Sequence, residues 1–459
     1  MSSSSAARQR IFSLLDENSF VEIGAGVRAR ATDFNLNPAG TPSDGVITGY
    51  GVIGDRLVYV YSQDASVLGG SVGEMHARKI AGIYDLAIRT GAPVIGLLDS
   101  AGLRVQEGMD ALDAFSQMYR QQAKASGVIP QITAVFGRCG GSLAVSASLS
   151  DFTLMAEGAQ LFVNAPNTLA GVHEETNNTA GAASRAEAGC VDFVGNEDEV
   201  IGKVRELVGI LPSNFEDDPC EECEDEMNRD CPDVASSIAD PAAVAKQTAD
   251  DGVFVELKEA FAKDMVTGFA RFGGTPAGVI GNREQLMTAD GCGKAAEFIR
   301  FCDAFGIPVI TLTNATGFAR DIEDENRIGL AAAKLTSAFG SATVPKINVI
   351  TGSAIGGGYA VMNPKGTGAD LTLALPGAKI GVMDAAIAAR VLAPNADKAE
   401  FEQTKKSYEQ LQNSLEGAAA RGLVDQIAEP SDLRRYIIGA LEILYTKREQ
   451  MPARKHSSK

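Results

Sequence analysis

The chain has 459 residues, of which 45% are hydrophobic and 22% charged, and its formal net charge is −18. This length predicts two or three domains that each bury a full core, and the composition is that of a globular protein rather than a disordered one. The acidic balance argues against nucleic acid as a partner, because phosphate binding needs a basic face.

The start of the chain predicts no secretory signal, because residues 1–5 lead into Arg8 and Arg10 without an apolar core. The longest uncharged stretch, residues 347–364, contains Asn, Ser and glycines, so it predicts a strand and a packed helix instead of a membrane span. Four of the seven cysteines lie in apolar contexts that suit reduced thiols, namely Cys139, Cys190, Cys292 and Cys302. We therefore expect a cytoplasmic protein.

The first half begins with a short helical pattern and then alternates β and α signals. Residues 45–52 and 57–61 are β-rich runs joined by a Gly54-Asp55 turn, which predicts a hairpin. The apolar run 93–98 predicts a strand buried on both faces. A helix over residues 108–126 and another buried strand follow, so the order predicts right-handed crossovers and an α/β fold.

A glycine loop precedes the first long helix, which is predicted over residues 74–89. The loop consists of Gly69, Gly70 and Ser71. Lys79 lies early in the helix and close to this loop, where its ammonium group could meet substrate phosphates. A solvent-facing position on the helix is the alternative for Lys79.

The composition changes abruptly between residues 211 and 240 to Pro, Asp, Glu and Cys, which marks a domain boundary. We expect a first domain over residues 1–215, an acidic linker over 216–240 and a second domain over 241–459. Three cysteines of this stretch have spacings that occur in metal sites, although a fourth ligand would have to come from elsewhere. They are Cys220, Cys223 and Cys231. A solvated acidic linker is the alternative.

The second half repeats the first at a constant offset of 215 residues. Ungapped pairs run over about 65 residues, which predicts an internal duplication. The pairs are Pro93 and Pro308, Asp99 and Asn314, Gly102 and Gly317, Pro130 and Pro345, and Gly141 and Gly356.

Each half carries a glycine turn between a buried strand and a small-residue helix. The turns are Gly140-Gly141-Ser142 and Gly356-Gly357-Gly358. Backbone N–H groups at such a turn lack intrahelical partners and can stabilise an oxyanion. Tight packing of helix on strand is the alternative, but two equivalent turns favour the oxyanion interpretation. Neither half offers an evident acid–base pair, so the substrates would have to bring their own acid–base chemistry.

Ordered motifs along nearly the whole chain resemble the carboxyltransferase subunits of biotin-dependent acyl-CoA carboxylases and of sodium-pumping decarboxylases. The motifs are IFSLLDENSFVE (11–22), GVITG (45–49), SQD (62–64), GGSVGE (69–74), RVQEG (104–108), ASGVIPQ (125–131), GF (317–318), ATVPK (342–346), GGGY (356–359), IGVM (380–383), ARGLVD (420–425) and TKRE (446–449).

The resemblance implies two duplicated crotonase-like domains with ββα superhelical layers. The first domain would receive acyl-CoA and hold its thioester carbonyl at Gly141 and Ser142, and the second would hold the biotin ureido carbonyl at Gly357 and Gly358. It further implies substrate-binding positions at Gly69, Gly70, Ser71, Lys79, Ala101, Gly102, Gly317, Phe318, Tyr359 and Ala360.

The implied cofactor is biotin, and coenzyme A forms part of the substrate. No Met-Lys-Met biotinylation motif is present in this sequence, so the biotin carrier protein would be a separate chain. A biotin carboxylase subunit or a membrane decarboxylase subunit would be a further partner. The active site would lie between subunits of a dimer-based homo-oligomer, with a hexamer expected.

Two positions depart from the family pattern. Ser142 stands where the family has glycine, although its N–H is still available, and Ala360 stands where propionyl-type enzymes have Asp, which leaves the acyl group open. The expected activity is carboxyl transfer to a short-chain acyl-CoA, with propionyl-CoA and methylmalonyl-CoA favoured. The alternatives are the decarboxylation direction, a crotonase-type hydratase, and a non-catalytic CoA-binding paralogue.

Overall fold

A computed structural model describes residues 5–31, 37–169 and 178–452. The chain divides into two compact units, Met1–Pro219 and Cys220–Lys459. Within the described ranges no helix is long and apolar enough to cross a membrane.

The first unit contains one sheet and the helices that pack on it. Its strands are β1 (Val21–Ile23), β2 (Val46–Ile53), β3 (Arg56–Gln63), β4 (Val94–Ser100), β5 (Gln131–Gly140), β6 (Phe152–Ala156), β7 (Gln160–Phe162) and β8 (Phe193–Gly195). Its helices are α1 (Ala6–Leu14), α2 (Glu74–Thr90), α3 (Gly108–Ala125), α4 (Ser142–Ser148), α5 (Ala182–Glu187) and α6 (Glu197–Ile210).

The sheet of the first unit has the order β1-β2-β3-β4-β5-β6-β8, and β7 pairs with the end of β5. The hairpin β2–β3 is antiparallel, as its turn predicts, and every pair from β3 onward is parallel. Because the carboxyl ends of β3, β4 and β5 share one edge, the connections that follow them lie at that edge.

The second unit has the same plan. Its strands are β9 (Phe254–Leu257), β10 (Met265–Phe272), β11 (Thr275–Asn282), β12 (Leu286–Met287), β13 (Val309–Ala315), β14 (Gly317–Phe318), β15 (Lys346–Ile355), β16 (Leu371–Ala374), β17 (Lys379–Gly381) and β18 (Gln426–Ile427). Its helices are α7 (Val234–Ser237), α8 (Pro241–Thr248), α9 (Ala289–Ala304), α10 (Ile322–Ser341), α11 (Gly356–Val361), α12 (Ala385–Leu392), α13 (Lys398–Gln412), α14 (Leu415–Ala420) and α15 (Leu433–Leu444).

The predicted α/β fold with an internal duplication is confirmed. Strands β4 and β13, and likewise β5 and β15, begin and end at residues that differ by 215. The two hairpins differ by 219, because the connection after β3 has ten residues (64–73) and the connection after β11 has six (283–288). The longer connection carries Gly69, Gly70 and Ser71, so this loop is a feature of the first unit.

Most side chains of the acidic stretch before α8 are exposed to solvent, but a few buried side chains anchor it. Cys231 and Val234 are buried in the core of the second unit. Arg434, which is fully buried on α15, pairs with Asp250 (2.6 Å) and with Asp225 (3.5 Å). This pairing ties Asp225 of the acidic segment to α15, and the chain from Cys220 onward groups with the second unit, while the acidic linker over 216–240 stays a prediction.

The three cysteines of that stretch contact different partners. Sγ of Cys220 lies 3.7 Å from Thr275 Oγ1, Sγ of Cys223 lies 3.3 Å from Asp225 O, and Sγ of Cys231 lies 3.3 Å from Gln247 O. In the part of the chain that the structure describes, no group of three or more His, Cys, Asp or Glu side chains is arranged to bind a metal ion.

Candidate active site

The first glycine turn joins β5 to α4. Gly141 has φ 61° and ψ −133°, a conformation that residues with a Cβ rarely adopt. Its own N–H donates to the carbonyl of Phe162 on β7 (2.9 Å). Ser142 and Leu143 begin α4, so helix geometry gives their N–H groups no intrahelical partner. Gly141 therefore sets the direction of the turn, and the donors come from the residues after it.

Helix α3 holds α4 in place. The Tyr119 hydroxyl donates to the carbonyl of Ser142, and the Gln122 amide donates to Ser146 O (3.1 Å) while accepting from Ser146 Oγ (2.8 Å). No sequence motif marks Tyr119 or Gln122, since both follow ordinary helical spacing on α3. The orientation of the Ser142 peptide thus depends on a side chain that lies 23 residues earlier in the chain.

The loops after β3 and β4 lie beside the first turn. Ala101 N donates to Gly69 O (3.0 Å), and a Cβ built on Gly102 would lie 2.8 Å from Gly140 O. Ser71 is buried, whereas Gly69 and Ala101 are exposed. The structure therefore brings together five of the predicted substrate-binding positions, Gly69, Gly70, Ser71, Ala101 and Gly102, next to Gly141 and Ser142.

Lys79 is turned into the protein. Its ammonium group donates to Ser43 O (3.0 Å), Ser43 Oγ (2.5 Å) and Val46 O (2.5 Å), and burial lowers the pKa of Lys79 to about 8. Lys294 on α9 is equivalent: it donates to three backbone carbonyls at 2.8–3.0 Å, and its pKa is also about 8 because of burial. Since the same arrangement occurs in both units, Lys79 is not retained in the proposed site.

The second glycine turn joins β15 to α11. Gly356 has φ 60°, close to the value at Gly141. Gly357 and Gly358 lie in the first turn of α11, so helix geometry gives their N–H groups no intrahelical acceptor. A Cβ on Gly358 would lie 2.8 Å from Gly317 N, and one on Gly357 would lie 3.1 Å from the Phe318 ring. The turn and the β14 residues Gly317 and Phe318 are thus in direct contact.

The two residues after this turn have different environments. Tyr359 packs against a core cluster that includes Ile350 and Ile380, and burial raises the pKa of its hydroxyl. Ala360 is exposed, and its carbonyl accepts a hydrogen bond from Thr367 Oγ1 (2.8 Å). Of the two, Ala360 presents its side chain where a ligand could meet it.

Histidine contributes to packing in the described part of the chain. His76 is fully buried, with Nδ1 3.0 Å from Asp44 O and Nε2 3.2 Å from Gln63 Nε2. Burial and the nearby Arg104 guanidinium hold the pKa of His76 well below its ordinary value. His76 is therefore neutral and fixed, and His173 and His456 lie outside the described residues.

Two equivalent units, each with backbone donors at a turn between strand and helix, define an enzyme of the crotonase-like carboxyltransferase class. The chain belongs to the carboxyl transferase family, whose domain model, the carboxyl transferase domain, matches residues 2–458. The predicted enzyme class, a biotin-dependent acyl-CoA carboxyltransferase, is confirmed.

Curated relatives match over nearly the full chain. It is 37% identical to methylmalonyl-CoA decarboxylase subunit alpha of Propionigenium modestum, over 98% of this chain and 92% of that protein. It is 38% identical to propionyl-CoA carboxylase beta chain of Roseobacter denitrificans, over 98% of this chain and 93% of that protein.

A solved structure has the same fold. The transcarboxylase 12S subunit, crystallised as a hexamer with hydrolysed methylmalonyl-CoA bound, superposes with a TM-score of 0.93 at 35% identity. The match covers 98% of this chain and 91% of the 12S chain.

Proposed function

We propose that this protein moves a carboxyl group between biotin on a separate carrier protein and a short-chain acyl-CoA, with propionyl-CoA and methylmalonyl-CoA as the substrate pair. The observation that carries the proposal is the pair of equivalent glycine turns, one in each unit. Transfer between two carbonyl compounds needs two oxyanion sites, whereas a crotonase-type hydratase needs one. The names of the relatives support the choice of acyl group.

In the first unit, the Ser142 N–H would hold the thioester oxygen of the acyl-CoA. Charge builds up on that oxygen when the α-carbon loses its proton, so a fixed donor lowers the barrier to enolate formation. Gly141 fixes the donor by its conformation, and Tyr119 fixes it from the carbonyl side of Ser142. The serine side chain does not interfere with this role, because the donor belongs to the backbone.

In the second unit, Gly357 and Gly358 would hold the ureido oxygen of biotin. The close contact between Gly358 and Gly317 supports this assignment, because it leaves no room for a side chain at Gly358. Without a side chain there, a flat carbonyl group can approach the backbone of the turn. When bound, carboxybiotin supplies CO2 and a base for the α-proton of the acyl-CoA. The chain's own contribution is to orient the two carbonyls and to stabilise their negative charge.

The further partners follow from this chemistry. A biotin carboxylase subunit would load the carrier, or a membrane decarboxylase subunit would unload it. The similarity to a propionyl-CoA carboxylase beta chain supports the carboxylase partner. The similarity to a methylmalonyl-CoA decarboxylase subunit alpha supports the decarboxylase partner equally. A cytoplasmic location is supported by six cysteines whose thiols are free, namely Cys139, Cys190, Cys223, Cys231, Cys292 and Cys302.

The direct test mixes the purified protein with free biotin and methylmalonyl-CoA and follows the decarboxylation of methylmalonyl-CoA. We expect decarboxylation that depends on biotin and on both turns. Hydration of crotonyl-CoA without biotin would instead support the hydratase alternative.

We expect a homo-oligomer built from antiparallel pairs, because the proposed site is shared between the first unit of one subunit and the second unit of another. Exposed large apolar side chains in each unit support this expectation. Met109 at the start of α3 is 86% exposed, and Val382, whose carbonyl faces Gly356, is 67% exposed. Light scattering at working concentration should give at least twice the mass of one chain. An active monomer would contradict a site shared between subunits.

Ala360 is expected to make acyl-group selection permissive, because a site shared between subunits would bring this position of the second unit against the acyl group held by the first unit of another subunit. Its methyl side chain is exposed and leaves room for a few methylenes, each worth about 0.8 kcal/mol when buried. The wild-type protein should therefore accept propionyl-CoA and somewhat larger groups, with selectivity of only about 1–3 kcal/mol per methylene. The measurement is kcat/KM for acetyl-, propionyl- and butyryl-CoA in the wild type and in Ala360→Ile. In the variant, kcat/KM should fall most for butyryl-CoA and least for acetyl-CoA. An unchanged ranking in the variant would assign size selection to other residues.

A further inference from the structure

Arg104 lies at the point where the loops after β3 and β4 meet. Its side chain is fully buried. Nη2 donates to Ser71 O (2.6 Å), and Nε donates to Ser71 Oγ (3.3 Å). The backbones on either side of this contact are paired as well, since Val72 N donates to Gly102 O (2.8 Å) and Arg104 N donates to Val72 O (2.9 Å). The guanidinium therefore joins the Gly69–Ser71 loop to the Ala101–Gly102 loop.

The other side of the guanidinium meets two buried carboxylates. Nη1 donates to Asp44 Oδ1 (2.5 Å) and to Glu107 Oε1 (2.7 Å), and both carboxylate side chains are fully buried. Glu107 Oε2 accepts from Glu74 N (2.5 Å), and Asp44 Oδ2 accepts from His76 N (2.8 Å), so both carboxylates also hold the start of α2. A planar group with five donors can serve all these acceptors at once, whereas a lysine ammonium group cannot.

The second unit has the same backbone pairing but lacks the arginine and the glutamate of this buried ion-pair cluster. Met287 pairs with Phe318, as Val72 pairs with Leu103, and Ala319 N donates to Met287 O (2.9 Å). Ala319 occupies the position equivalent to Arg104, and Ile322 the position equivalent to Glu107. The repeated fold therefore forms without this cluster, which occurs beside the longer loop of the first unit.

We propose that Arg104 is a positioning residue for acyl-CoA: together with Asp44 and Glu107 it holds Ser71 and the two loops as one rigid wall of the acyl-CoA site. This inference rests on the proposed function, which places acyl-CoA in the first unit. Arg104 touches no reacting atom in this scheme and acts through the loops.

The test measures propionyl-CoA binding by calorimetry without biotin, and separately the KM for free biotin, in the wild type and in Arg104→Lys. The variant keeps the positive charge between the carboxylates but cannot also reach Ser71. We expect the Kd for propionyl-CoA to rise about tenfold, as for the loss of one hydrogen bond to a charged group, and the KM for biotin to stay unchanged.

Arg434→Lys is the matched control, because Arg434 is an equally buried arginine of the second unit that pairs with Asp250 (2.6 Å) and donates to Thr248 O (2.8 Å). It should lower the melting temperature without changing the Kd for propionyl-CoA. If Arg104→Lys does not fold, Glu107→Gln decides in its place and should also weaken propionyl-CoA binding.

The outcomes distinguish a failure of the positioning role of Arg104 from a failure of the proposed function. A Kd in the folded variant equal to that of the wild type overturns the positioning role, as does an equal loss of binding in Arg434→Lys. A wild-type protein that binds no propionyl-CoA at all contradicts the proposed function instead.

Discussion

Gly358→Ala should lower carboxyl transfer by about 100-fold or more, the usual loss when an oxyanion donor is displaced. The added Cβ would lie 2.8 Å from Gly317 N and 3.1 Å from Gly317 Cα, and both are backbone atoms that cannot rotate away. The turn must shift, and the Gly357 and Gly358 N–H groups lose their alignment. The measurement is kcat/KM for transfer between biotin and propionyl-CoA, with propionyl-CoA binding measured alongside and expected to be unchanged.

Gly439→Ala is the control for this variant. Gly439 lies within α15, and a Cβ there would meet no atom within 4 Å. It should retain wild-type transfer and equal or slightly higher stability. Full transfer activity in Gly358→Ala would remove the second turn from the proposed site.

Gly141→Ala should lower kcat for transfer by a similar factor through backbone conformation alone. A Cβ on Gly141 would meet no atom within 4 Å, so no clash contributes. The cost arises because φ 61° with ψ −133° is almost restricted to glycine, and relaxing it turns the Ser142 N–H away. The KM for biotin should stay constant, since biotin is assigned to the other unit.

The control here is Gly158→Ala, in the turn between β6 and β7, where a Cβ also has open space and φ is not positive. It should leave kcat unchanged. If Gly141→Ala raises the KM for biotin and keeps kcat, the assignment of the two turns to the two substrates is reversed.

The fold was predictable because its signals are local. The buried parallel strand β4 begins with a continuous apolar run over residues 94–98, and the hairpin β2–β3 is specified by its β-rich runs and by the turn at Gly54 and Asp55. The duplication shows as a constant offset over β4 and β5 because their second-unit equivalents have the same lengths and connections. The offset of 219 for the hairpins was not predicted, since an insertion between weakly similar segments leaves no pattern to align.

Side-chain directions were less predictable, because helical spacing does not say which way a long side chain turns. The sequence offered Lys79 as a phosphate ligand beside the glycine loop, yet its ammonium group donates to the carbonyls of Ser43 and Val46. The acidic composition around Cys231 likewise gives no sign that Cys231 is buried or that Arg434 on α15 pairs with Asp225. Arg434 is 209 residues away from Asp225 in sequence, so no local pattern could reveal the pair.

The sequence by itself determined the α/β class, the repeated unit, the two glycine turns and the family, because each of these depends on residue types at short and regular spacings. Only the tertiary structure decided which backbone N–H groups at the turns are available to bind a ligand. The Gly141 N–H is used by Phe162 of β7, whereas Ser142 is oriented by Tyr119 of α3, and Arg104 joins two loops across the strand edge. These contacts join segments that are distant in sequence, and they form only when the strands of the sheet and its helices have packed together.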